Sequence, residues 1–336
     1  MKRLWLTPLI ASFINFPAYS ADKNTHATAE GLVNGFQDAF GGAHPKMRRT
    51  HAKGICFSGT FQPSEQAKKN FDLELTNTKK PLKVIGRFSL AGGDPQASDK
   101  SRSARGMALR FYLNDDRFHQ MAMLSTPVFA AATPDSFLGL LQAQRMDPTT
   151  KKRDTQKIAD YIKNNPDTQP QANWLKEHSP PASFAQSSYF GISTFIFKNK
   201  NKGSTSVRWF FAPQEGEKLL TADEMEKGPD QFLETELKEH LGKKPAVWDW
   251  TVMKSLKEDN LINPTIPWDV AKHQTVKMGE LKIDKVEETA VCDDFNFDPL
   301  VLTKGVEASE DPILRIRSGA YAISFGRRQI EKTQNK

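Results

Sequence analysis

The sequence predicts an α+β fold built around a mainly antiparallel sheet. Strand-like segments recur at irregular spacing, and helical segments fall between them without strict one-to-one alternation. No GxGxxG turn, P-loop or internal repeat marks a doubly wound or repeat architecture. Composition agrees with a packed interior: 38% of the 336 residues are hydrophobic and 26% charged, with 22 Phe and 6 Trp, which excludes a disordered or collagen-like chain. The formal charge of +7 is spread along the chain, with Lys and Arg interleaved among Asp and Glu as in 215–244. No basic stripe forms, and no nucleic-acid partner is expected.

The first residues read as an address. Met1-Lys2-Arg3 is a positive start, Leu4 to Phe16 a short apolar run closed by Pro17, and Ala18 to Ala21 offers small residues around a cleavage point. The expectation is a signal peptide over 1–20, a periplasmic or otherwise exported protein, and one domain over 21–336. The apolar run falls short of the ~20 residues that a spanning helix needs, so no stable membrane insertion is expected.

Gly31 to Phe40 places Leu32, Val33, Phe36, Ala39 and Phe40 on one face of a short helix that ends before Pro45. Thr50 to Phe61 turns small and β-like. Leu82 to Leu90 and Met107 to Leu113 read as strands, the latter alternating Leu109, Phe111 and Leu113 with Ala108, Arg110 and Tyr112. Between them, Ala91 to Arg105 is a loop of Gly, Asp, Ser and Arg. Pro134 to Ser187 is helical in tone, punctuated by prolines. Thr194 to Phe197 and Val207 to Phe211 flank a turn and read as a hairpin. One helix is predicted over Leu219 to Leu241, acidic at its start and stopped by Gly242 to Pro245. Val247 to Met253 and Thr275 to Val286 read as strands. Cys56 reads as a buried core thiol; a bridge to Cys292 is open, because spacing does not assign it.

His51 draws attention through its setting. Arg48 and Arg49 precede it, and Ala52-Lys53-Gly54 leads from it into an apolar strand. The tract RRTHAKGICFSGTF, then GRFS with its Gly-rich loop, RGMALRFY and STPVF, resembles the haem catalases in that family's order. DPILRIRSGAYAISFGRR, near the C-terminus, resembles their proximal helix. The resemblance covers about Arg48 to Phe137 and Asp298 to Arg328, and the middle third matches loosely.

The resemblance implies a catalase-like antiparallel β-barrel with surrounding helices and haem b bound inside. It puts Tyr321 on the iron with Arg317 beside it. The residues agree: i and i+4 share a helix face, and a phenol that ionises near pH ~10 needs a neighbouring cation or ferric iron to hold it as phenolate. Tyrosine is also the axial ligand type of catalase haem. On the other side the resemblance places His51 as acid–base catalyst and Ser89 as the residue that fixes its tautomer. It assigns Arg48, Arg87 and Arg328 to the haem propionates, and Phe129 and Phe137 to packing near the haem.

Departures from full catalases matter as much. The asparagine of their Asn-Asn-Thr-Pro stretch falls on Leu124, which cannot donate a hydrogen bond. Their channel aspartate falls on Ser103, and Thr50 stands where valine is usual. The chain also lacks the long arms that wrap large catalase tetramers. This pattern resembles the catalase-related peroxidases. It implies an oxidoreductase that takes hydrogen peroxide or an organic hydroperoxide and is returned to rest by a small organic electron donor, with weak catalase activity, as a monomer or small homo-oligomer. Two alternatives stand beside it: a hydroperoxide isomerase of the allene oxide synthase type, and a non-catalytic haem-binding protein.

Overall fold

Alternation along each strand sends every second side chain to the opposite face of the sheet, and in this protein the two faces differ sharply. The structure, a computed structural model, describes residues 26–334; the segment read as a signal peptide lies outside the described residues. The strands are β1 (Gly54–Pro63), β2 (Leu82–Leu90), β3 (Arg105–Tyr112), β4 (Phe118–Leu124), β5 (Tyr189–Lys198), β6 (Ser204–Pro213), β7 (Ala246–Lys254), β8 (Thr275–Glu287) and β9 (Val306–Ala308). They pair antiparallel in the order β4-β3-β2-β1-β8-β7-β6-β5. The pair Leu124 and Phe190 joins β4 to β5 and closes these eight into a barrel, with β9 added beside β5.

An eight-stranded barrel leaves a lumen that side chains can just fill. Here Phe57, Phe61, Phe88, Phe111, Trp209, Phe211, Trp248 and Trp250 fill it, all buried. Phe211 stacks on Trp250 at 5.8 Å, and Phe61 meets Phe111 edge-on at 5.3 Å. The lumen is core, so a bound cofactor has to sit elsewhere within the chain.

The helices are α1 (Ala29–Ala39), α2 (Glu65–Asn70), α3 (Pro134–Ala143), α4 (Thr155–Asn164), α5 (Gln169–Glu177), α6 (Ala222–Lys227), α7 (Leu233–Lys243), α8 (Ala290–Asp293) and α9 (Pro312–Thr333). Their starts follow from local chemistry. Thr28 and Thr133 accept from Gly31 and Ser136 backbone N–H groups, and Asp311 accepts from Ile313 and Leu314 ahead of a proline at the first helical turn. Leu32 and Phe36 of α1, Phe137, Leu138 and Leu141 of α3, and Ile316 of α9 make a further apolar cluster that packs α9 against α1 and α3.

Three expectations need correction. The helix over Leu219 to Leu241 is two helices, because α6 stops at Gly228 and Pro229 offers no N–H to continue it. β4 went unread because its buried residues include His119 and Gln120, which break the apolar alternation. Cys56 is not a free thiol: it forms a disulfide with Cys292, with Cα atoms 5.9 Å apart across 236 residues of sequence.

Candidate active site

β1 to β4 turn aromatic residues into the lumen and small or polar ones outward. On β2, Phe88 points in, while Arg87 and Ser89 belong to the outer face; on β3, Met107 and Leu109 flank Ala108. Between this outer face, α1 and α9 lies a cavity of about 850 Å³, counting its open mouth. Its wall brings together Arg48, His51, Arg87, Ser89, Arg317, Tyr321 and Arg328, which the sequence separates by up to most of the chain length.

His51 sits just before β1 with φ of +55°, a left-handed backbone that only surrounding contacts can hold for a residue of this kind. Arg87 supplies them, donating from its two terminal nitrogens to the carbonyls of His51 at 2.8 Å and Ala52 at 2.9 Å. Gly54 makes room for that clamp, since a Cβ there would lie 2.6 Å from the Arg87 guanidinium carbon. Nδ1 of His51 lies 2.9 Å from Ser89 Oγ, so Nε2 is the nitrogen left for chemistry. Gly106 is equally forced: a Cβ would stand 2.7 Å from Ser89 Oγ and 2.9 Å from His51 Nδ1. Burial, and then the positive charges of Arg87, Arg317 and Arg48, push His51 down to about 3. At neutral pH the ring is therefore an uncharged imidazole.

From the helix side, Arg317 donates to the Tyr321 hydroxyl at 3.1 Å, the i, i+4 geometry expected of them. At one end of the cavity stand Arg48, Arg87 and Arg328. Burial and then repulsion from Arg87 and Arg328 hold Arg48 well below its ordinary value; burial and then Arg328 bring Arg87 to about 10; burial lowers Arg328. Asp293 offsets part of this, but it is shared between Arg48 and Lys332. The buried Nε of Arg328 has no partner among the described residues.

These residues fit a haem. Three crowded guanidiniums with an orphaned N–H suit a pair of carboxylates. A phenol held by a guanidinium suits ferric iron, and Val33, Phe36, Ala108, Ala122, Phe297 and Phe325 give the apolar walls a macrocycle needs. Phe129 and Phe137 are not among these wall residues. Their rings meet at a tilt, 4.9 Å apart, and Phe137 packs edge-on against Phe36 of α1 at 5.6 Å, behind that wall residue. Leu124 does line it. Sequence reasoning missed the part played by Val33 and Phe36, which periodicity marks only as apolar helix face. It also missed Gly106, Asp293 and the Phe295 carbonyl, whose roles depend on contacts with distant segments.

A family model described as Catalase matches residues 40–329. The chain belongs to the catalase family. It is 39% identical over 306 residues to a protein of Synechococcus elongatus named catalase-related peroxidase, covering 90% of this chain and 89% of that one. It is 31% identical to one of the same name from Mycolicibacterium paratuberculosis, covering 84% and 90%. Against the catalase of Streptomyces coelicolor identity is 27%, and the match spans 59% of that longer chain. Among solved structures, a fungal catalase superposes with a TM-score of 0.77 at 22% identity, covering 84% of this chain and 59% of that one. A bacterial catalase gives 0.77 at 21%, covering 96% and 67%. The barrel and its helices are thus the catalase fold.

Proposed function

We propose that the protein is a haem-dependent peroxidase that reduces hydrogen peroxide or an organic hydroperoxide and draws the electrons from small organic donors, with haem b held through Tyr321. One observation carries the reading: the His51–Ser89 pair on the barrel side and the Arg317–Tyr321 pair on α9 face one cavity. When bound, haem supplies iron-centred cleavage of the peroxide O–O bond and storage of the oxidising equivalents. The chain supplies the rest. Neutral His51 takes a proton from the incoming peroxide and returns it to the departing oxygen, a role that needs an imidazole held uncharged. Ser89 and the Arg87 clamp keep that ring aimed. Arg317 favours the phenolate of Tyr321, and Arg48, Arg87 and Arg328 meet the propionates.

Leu124 offers no hydrogen bond in this cavity. Loss of a positioned donor typically costs about 10²-fold or more, which supports weak catalase activity beside the peroxidase. The names of the two relatives support the same reading over a hydroperoxide isomerase or a non-catalytic haem protein. Export is supported by the signal-like start and by the Cys56–Cys292 disulfide, a bond that persists in oxidising compartments.

The test is direct. Haem-loaded protein given hydrogen peroxide and a phenolic dye oxidises the dye and releases little oxygen at an oxygen electrode. Oxygen evolution that outruns dye oxidation overturns the peroxidase assignment.

A further inference from the structure

The Cys56–Cys292 disulfide joins the barrel wall to the segment that completes the charged end of the cavity. Cys56 lies on the outer face of β1, the strand that His51 leads into, and Cys292 lies in α8. Just beyond α8 the chain runs into the cavity wall with Phe295, Asn296 and Phe297. The same segment aims the arginines. Arg48 donates to Asp293 Oδ1 at 3.3 Å and to the carbonyls of Cys292 at 3.2 Å and Phe295 at 3.0 Å. Arg328 donates to the Phe295 carbonyl at 3.4 Å. Tyr321 packs against the apolar cluster that the disulfide forms with Ile85 and Phe297.

Packing also holds this segment, with Phe297 buried in that cluster and the Arg110 guanidinium over the Phe295 ring at 3.9 Å, but the disulfide is its one covalent cross-link. α8 has four residues, too few to hold itself as a helix. Beyond Arg48 and Arg328, the segment is tied to α9 by Lys332 and Gln329 through Asp293 and Asp294, partly exposed polar pairs of the kind that contribute little.

We infer that the disulfide is a positioning element of the cavity's anion subsite: by fixing 292–297 it sets the acceptors that aim Arg48 and Arg328, and through them how firmly haem carboxylates are retained. The inference rests on the haem reading of this cavity. Opening the bond takes two electrons and two protons from a dithiol, which becomes a cyclic disulfide, and leaves Cys56 and Cys292 as thiols. Tight retention then coincides with oxidation of the pair.

The test compares wild type with Cys56→Ala/Cys292→Ala. After both are loaded with haem, its transfer to apomyoglobin is followed by absorbance, and in the haem-free proteins amide hydrogen exchange is followed across 290–297. The expected result is faster exchange in that segment and haem transfer accelerated by about 10- to 100-fold, the range typical for loss of a group that orients a ligand. In an Arg48→Gln background, removing the disulfide then accelerates transfer by a smaller factor, the part that acts through Arg328. Unchanged transfer, or the same acceleration with and without Arg48, overturns the inference. Where circular dichroism shows the double variant unfolded, wild type reduced with dithiothreitol and checked by thiol titration takes its place. Failure of wild type to load haem contradicts the peroxidase reading instead, and the exchange measurement still decides whether the bond fixes 290–297.

Discussion

The lumen of the barrel and the cavity on its outer face are built by alternate residues of the same strands, yet they are opposites. Inside, Phe57, Phe61, Phe88, Phe111, Trp248 and Trp250 pack into core. Outside, residues one step along, Arg87 and Ser89 on β2 and Ala108 on β3, open a space lined by buried cations. A strand buried on both faces can support stability with one side and chemistry with the other. Changes to each face should therefore report different quantities.

The largest expected effect is on the outer face. His51→Ala should cut peroxide-dependent dye oxidation by about 10²- to 10⁴-fold, while circular dichroism shows the haem-free variant still folded. On the inner face the pattern reverses. Trp250→Ala should cost about 3–5 kcal/mol in denaturant unfolding, as large aromatic deletions do, and leave turnover per folded molecule near wild type.

Acid separates the faces more finely. His119 points into the lumen against Phe111, and burial alone pushes it down to about 3; His51 reaches about 3 by burial and nearby arginines. Both folded values lie below the ordinary one of about 6.5. Between pH 3 and 6.5 the unfolded chain therefore binds more protons, and stability falls as pH drops through that window. Each group adds a slope of up to about 1.4 kcal/mol per pH unit. Unfolding of haem-free His119→Leu and His51→Ala, measured from pH 7 to 4, should each show a slope shallower than wild type by up to about 1.4 kcal/mol per pH unit. A slope unchanged in either variant would remove that histidine from the acid response. The smallest expected effect is Leu124→Asn, which should raise oxygen release from hydrogen peroxide by roughly tenfold, short of the full loss that a missing donor can cause. No rise at the oxygen electrode would take Leu124 out of the account.

Much of this division was legible in the sequence. The alternation of Met107 to Leu113 separates inner from outer residues before any fold is known, and the His51 and Arg317–Tyr321 motifs identify the two sides of the cavity. What stayed hidden depends on contacts between distant segments. The disulfide links residues 236 apart, and spacing carries no record of that approach. That Phe137 reaches the cavity wall through Phe36 of α1 is likewise a contact between segments about 100 residues apart, and nothing local to either phenylalanine signals it. The need for glycine at 106 is invisible until Ser89 and His51 stand against it.

The central claim is that Tyr321, on α9 over the barrel's outer face, ligates haem iron. The ferric spectrum of haem-loaded wild type, compared with Tyr321→Phe and read by absorbance and resonance Raman, tests it most directly. The account predicts a tyrosinate signature in wild type that is absent from the variant. An identical ferric spectrum in the two proteins would contradict it.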